Sequence, residues 1–349
     1  MSMPPADISD SAAISAQAAV HHQYLLGLQL MVAMREGPAT VGDWMFRLFR
    51  RLHEEKFLSS FGKLGLKGLP DAVACARYHT LSNAIGGVPV EYMQESDRKA
   101  WVRFRYPRWM YDGPTLCGMP VEAGRGFLRG WYAHNGVSLG NPRLGFVCVS
   151  EDMTGQFGFC GYFREYDREL AEDERLMFAP DERPPPFDPD QQPVAPKADW
   201  SERRLAKANR NYAVAFVRNG IRELAGTIGA VAALEYGRRA ARLTGLQQYR
   251  RMADAVGGVD GGPQEAVEFL AAMFRGMDDG VEVGDVGDGA VCLHQTGLRI
   301  VRALTGLERE TLLACWIELW RGAVASHRQF MEVEVGAEDS SLLWTIRPE

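Results

Sequence analysis

The sequence contains no Cys-x-x-Cys pair, no glycine-rich phosphate loop, no dinucleotide fingerprint, no serine elbow at a strand-to-helix turn and no metalloprotease helix. Each absence removes a chemistry: zinc ribbons and thioredoxin-like couples, nucleotide-dependent transfer, Rossmann cofactor binding, α/β-hydrolase and zincin catalysis. Six cysteines spread over 349 residues fit separate, reduced thiols better than a disulfide framework. No apolar run approaches the roughly 18 residues that cross a bilayer. The opening MSMPPADISDSAAISAQAAV has neither the basic nor the apolar region of a secretory signal. A cytoplasmic protein without a membrane partner is expected. The net charge of −6 argues against nucleic acid as a partner, because phosphate neutralisation needs clustered Lys and Arg.

What is present is periodic. Val20, Tyr24, Leu28 and Met31 recur at helical spacing and the pattern stops at Gly37-Pro38. Met45, Leu48, Phe49 and Leu52 mark a second helix, and a third runs from Pro70 to Gly86-Gly87. The period then changes to two. Val102, Phe104 and Tyr106 alternate with Arg103 and Arg105, which predicts a β-hairpin with one buried face and a turn at Glu95–Lys99. A glycine-rich loop, a further helix and two short strands follow.

Residues 181–196, DERPPPFDPDQQPVAP, have almost nothing to bury, and beyond them the order repeats. Three helices lead to VEVGDVGDGAVCLHQTG, which aligns with VEYMQESDRKAWVRFRYP through the shared Val-Glu and through Asp288 against Asp97. Ala337-Glu338-Asp339 aligns with Ser150-Glu151-Asp152. The expected organisation is a mobile start (1–14), a module (15–178), a proline-rich linker (179–200) and a second copy (201–349). Two copies of one α+β module joined by a tether of roughly 20 residues can pack as an intramolecular pseudo-dimer, with further homo-oligomerisation open.

Asn141-Pro142, Gly155, and Cys160 followed by Tyr162-Phe163 form a pattern that resembles the L-2-amino-thiazoline-4-carboxylic acid hydrolase-like group and the related 4-vinyl reductase ligand-binding domains. Arg105-Tyr106-Pro107 is similar to that group's Arg-Cys-Pro-like element, with Tyr106 where a cysteine often stands. In the second half Thr345 takes the place of Cys160, and Thr296 that of Tyr106. The resemblance implies tandem 4-vinyl reductase-like modules of helices plus antiparallel sheet, with a working pocket in residues 15–170 and a degenerate C-terminal copy. It implies a small-molecule enzyme, a hydrolase or relative acting on a cyclic C–N or C–S compound. The alternatives are a non-catalytic ligand-binding or sensory protein, and an assembly partner of another enzyme.

The residues themselves favour the loop YDGPTLCGMPVEAGRG, where Cys117 could act as nucleophile with Asp112 or Glu122 as base near a helix N-terminus. His134, at a helix end, could be a general acid, a ligand contact or a favourable C-terminal charge. Arg103, Arg105 and Arg125 are candidates for a substrate carboxylate, and Tyr106, Trp109, Tyr111 and Trp131 for the walls of a pocket suited to a flat or cyclic molecule. His79 follows Cys75 by one helical turn, a spacing shared by metal ligands and by ordinary core residues. Cys148 and Cys160 lie on neighbouring strands, and lacking the short knuckle spacing of a zinc pair they fit packing thiols better. No cofactor is expected, and a metal is left open.

Overall fold

Alanine-rich spacing carries α1 (Ala6–Glu36), and the chain turns at Gly37, φ 86°, into α2 (Pro38–Phe61). The same corner recurs at Gly229, φ 87°, between α7 (Glu202–Ile228) and α8 (Ala230–Val256). A β-carbon at such a φ is strained, so both corners favour glycine. The computed structural model describes residues 6–106, 108–154, 156–194, 201–258, 260–338 and 340–349. Pro107, Gly155, Asp339 and linker residues 195–200, on which sequence expectations rest, lie outside these, as do residues 1–5.

The first half continues through α3 (Asp71–Ile85), β1 (Val90–Ser96), β2 (Lys99–Phe104), α4 (Thr115–Gly118), α5 (Val121–Gly130), α6 (Asn135–Leu139), β3 (Leu144–Ser150), β4 (Cys160–Glu165) and β5 (Leu176–Phe178). The second half has α9 (Pro263–Gly276), β6 (Gly280–Gly287), β7 (Ala290–Thr296), α10 (Gly306–Val324), β8 (Met331–Ala337) and β9 (Ser341–Pro348). The protein is α+β with two separate sheets, ordered β1-β2-β4-β3-β5 and β6-β7-β9-β8. All pairings are antiparallel except β3 with β5.

Residues 1–31 and 206–349 form one compact unit, and residues 32–205 the other. These limits differ from an N-terminal module starting at 15, because α1 is bonded to the second half. Gln17 Nε2 donates to Met273 O (2.6 Å), Tyr24 OH to Gly237 O (2.9 Å) and Trp316 Nε1 to His21 Nε2 (3.1 Å). Secondary structure starts within the stretch 1–14. The helix begins at Ala6, and Ala13 and Ile14 are buried.

In each unit a helix pair approaches through glycine. A β-carbon on Gly126 would lie 2.1 Å from Gly42 O, joining α5 to α2, and one on Gly245 would lie 1.9 Å from Leu319 O, joining α8 to α10.

The first sheet is covered on both faces, which corrects the expectation of one buried face. Met93, Trp101, Tyr162, Val147 and Met177 stand opposite one another across the five strands and form an apolar row. The segment after β5 lies against this sheet. Ala179 N donates to Cys148 O, and Tyr162 OH to Glu182 Oε1. Lys99 Nζ lies 4.2 Å from the Tyr162 ring centroid and 3.7 Å from Glu182 Oε2. Gln192 then exchanges two bonds with the Tyr92 backbone, and Gln191 Oε1 accepts from Gln94 N. The first part of the linker is therefore a strap that reaches the free edge of β1.

Replacing Gln191 and Gln192 together by alanine removes these three bonds to β1. The expected cost is about 1–2 kcal/mol, read as a lower urea midpoint, with faster proteolysis within 181–194. An unchanged cleavage rate would show that the strap is held by other contacts.

The corresponding row of the second sheet is Gly284, Cys292, Thr345 and Glu334, which offers little to cover. Its register also shifts an expected correspondence. Leu343 stands opposite His294 as Cys160 stands opposite Arg103, so Thr345 matches Tyr162 rather than Cys160.

Candidate functional site

Between β2 and α4, in the unit formed by residues 32–205, the chain turns Arg108 inward, with Tyr106, Trp109 and Tyr111 near it in sequence. The Arg108 side chain is 2% exposed, and its Nη2 donates to Asp152 Oδ2 at 3.0 Å. Phe104 and Tyr111 lie against the guanidinium, with centroids 4.9 and 5.8 Å from Cζ. Tyr106 OH donates to the other oxygen, Asp152 Oδ1. Asp152 opens the 3-10 turn Asp152–Thr154 that follows β3.

Local geometry holds these groups. Tyr111 has φ 60°, and Gly158, φ 87°, leaves room for the Tyr106 ring, which a β-carbon would meet at 2.8 Å. Burial, followed by the Asp152 charge, raises the phenol pKa values of Tyr106 and Tyr111, so both stay protonated donors. Arg108 Nε and Nη1 have no partner among the described residues, and neither has Tyr132 OH. Tyr132 joins the same group of rings, its centroid 5.3 Å from that of Phe159, which in turn lies 4.8 Å from Phe104.

The other side of Tyr132 leads to a second cluster. Its ring stacks on His79 at 4.0 Å and 14°, and Phe163 lies nearly parallel to both, 5.4 Å from His79 and 5.7 Å from Tyr132. Asn135 Nδ2 lies 3.0 Å from His79 Nε2, and Asn135 also reaches the Cys75 thiol. His79 is therefore a hydrogen-bonded core histidine, and burial holds its pKa well below the usual imidazole range. Among the described residues no group of three or more acidic, histidine or cysteine side chains is placed to hold a metal ion.

His134 lies in a 3-10 turn before α6, its ring 5.2 Å from His53. Burial, with Arg50 and Arg175, lowers its pKa to about 4. It is neutral at pH 7, which corrects the expectation of a helix-end imidazolium.

His53 Nε2 contacts Ser138 Oγ at 2.9 Å. Gly136-Val137-Ser138-Leu139-Gly140 carries the Gly-x-Ser-x-Gly spacing, but it lies in α6 and its closing Gly140, rather than at a strand-to-helix elbow. His53 Nδ1 has no partner among the described residues, and burial lowers the pKa to about 3, first by desolvation and then through His134.

Of the residues expected to form a site, Tyr106 bonds to Asp152 and Tyr111 lies against Arg108, and His79, Trp131 and His134 belong to the aromatic cluster. The remainder lie elsewhere. Arg103 and Arg105 are 3.6 and 3.2 Å from Glu91 on the strap face, so neither is an unpaired carboxylate receptor. Arg125 is held by Glu151 through two 2.9 Å bonds. Trp109 is half-buried. Cys117, Asp112 and Glu122 are exposed, and no described base hydrogen-bonds to the Cys117 thiol.

Cys148 and Cys160 are buried free thiols that point to opposite sheet faces, since Cys148 pairs with Gly161. Burial raises both thiol pKa values, that of Cys160 to about 12. Arg108 and Asp152 escaped the sequence reading. The signal was available in Tyr-Pro-Arg-Trp-Met-Tyr, an arginine set among aromatics, which is how a stacked guanidinium is commonly framed. Comparison of the chain with known protein families, curated proteins and solved structures gives no match.

Proposed function

We propose that the chain is a small-molecule-binding protein whose ligand lies against Arg108 and the neighbouring rings in the unit of residues 32–205. One observation carries this reading. Buried donors on Arg108 and Tyr132 stand among aromatic rings without partners among the described residues, in a place where protein interiors normally satisfy every polar group. Aromatic walls with a few convergent polar groups suit a flat or cyclic molecule. The resemblance to 4-vinyl reductase-like ligand-binding domains agrees with this. The four-strand order common to both sheets, β1-β2-β4-β3 and β6-β7-β9-β8, and the paired glycine corners support reading the chain as two copies of one module, the second without β5 and the pocket residues.

Cys117 has no place in this reading. Cys117→Ala is expected to leave both the melting temperature and any ligand-induced stabilisation unchanged. Loss of ligand response in that variant would return the loop to the centre of the function.

Hydrolysis of a cyclic C–N or C–S bond is the second reading, and the Ser138–His53 contact favours it. It ranks lower because a base whose pKa is about 3, with no carboxylate among the described residues orienting Nδ1, accepts a proton poorly near neutrality. Covalent labelling of Ser138 by a fluorophosphonate, abolished in Ser138→Ala, would reverse the order.

A further inference from the structure

Charge balance around Arg108 narrows the ligand class. The guanidinium carries one positive charge, and Asp152, with its side chain 8% exposed, already neutralises it at 3.0 Å. Both Asp152 oxygens are engaged, Oδ2 by Arg108 and Oδ1 by Tyr106. The adjacent acid, Glu151, is matched separately by Arg125. A carboxylate brought to this place would therefore be a buried anion in excess, which interiors tolerate poorly. A neutral acceptor meets no such penalty, yet still receives strong bonds from a charged donor. Phe104 and Tyr111 lie against the guanidinium, so its remaining N–H groups, Nε and Nη1, bond within its own plane.

We propose that the free Nε and Nη1 groups of Arg108 form a subsite for the carbonyl oxygen of a neutral, planar ring compound, an amide, lactam or cyclic ketone, and not for an organic acid. This rests on the small-molecule reading given above. Asp152 is then the specificity determinant. It makes the arginine a donor of hydrogen bonds without leaving it a receptor for charge.

The test uses the full chain with matched probes, benzamide against benzoate and nicotinamide against nicotinate, followed by thermal shift and by saturation-transfer NMR. In the native protein the amides should bind about tenfold more tightly than the acids. Asp152→Asn leaves Arg108 without its counter-charge and should reverse that order. The double variant Arg108→Gln/Asp152→Asn, which keeps the site neutral, should bind neither class. Acids preferred by the native protein, or an order unchanged by Asp152→Asn, would overturn the proposal while leaving the small-molecule reading in place. If no probe binds but native mass spectrometry shows another molecule carried by the purified chain, the subsite assignment fails alone. If neither is seen, both fail.

Discussion

Lowering the pH from 7 to 4 is expected to remove most of the stability of this protein. His21 and His22 are buried on α1. The His21 ring has no position for a second proton. Its Nδ1 lies 2.7 Å from Gln17 O and donates to it, while Nε2 accepts from Trp316 Nε1. Burial lowers the pKa of His21 from 6.5 to about 4 and that of His22 to about 3. In the unfolded chain both titrate near 6.5. Their contribution is thus complete above pH 6.5, declines as the unfolded state takes up protons, and is lost once the pH has fallen to the folded values.

The depression at His21 alone corresponds to about 3 kcal/mol, and that at His22 to somewhat more. The sum compares with a total stability of roughly 5–15 kcal/mol for an ordinary domain. His53, His79, His134 and His327 are shifted in the same direction. Among the described residues one carboxylate opposes them. Burial raises Asp279 to about 6, so it favours folding as the pH falls from 6 towards its unfolded value. It cannot offset several histidines. Urea midpoints measured at pH 7 and pH 4.5 decide the matter, and equal midpoints would refute the assignment.

Gly245→Ala is expected to cost about 3 kcal/mol or more, at the upper end of overpacking effects. The new methyl would fall 1.9 Å from Leu319 O and 2.8 Å from Ala323 N, both backbone atoms of α10 that no rotamer change can move. Gly322 makes the reciprocal approach, 2.1 Å from Arg242 O on α8, so the helices cannot separate at one point without losing the other. Gly226, inside α7 with nothing within 4 Å of its would-be β-carbon, is the control. Gly226→Ala should be neutral or stabilise by about 0.5–1 kcal/mol. If both variants melt together, glycine is not setting the helix separation.

Periodicity made the element order legible, including the helix ends at Gly37-Pro38 and Gly86-Gly87 and the hairpin turn near Asp97. It could not show what each apolar face meets. Val20, Tyr24 and Leu28 announce a buried stripe on α1, but nothing local says that the stripe belongs with residues 206–349. The strap was hidden for a different reason. Its hold comes from glutamine amides and one acid, side chains that composition alone assigns to solvent. Arg108 was overlooked likewise, because arginine is mostly exposed and only its aromatic neighbours mark the exception. The cysteines and Arg103, Arg105 and Arg125 misled through residue type: each has suitable chemistry, and tertiary partners have already claimed the arginines.

The strap also bears on what happens between molecules. An edge strand with unpaired N–H and C=O groups is a template on which another chain can add, the first step of sheet-to-sheet aggregation. Gln192 meets the Tyr92 N–H and C=O with its own amide, as a neighbouring strand would, and Gln191 closes Gln94 N. The proline-rich segment delivering them has few N–H groups to pass the ladder onward. A stretch that looks like a passive spacer therefore ends the sheet, and it shields β1 from association with other copies at high concentration.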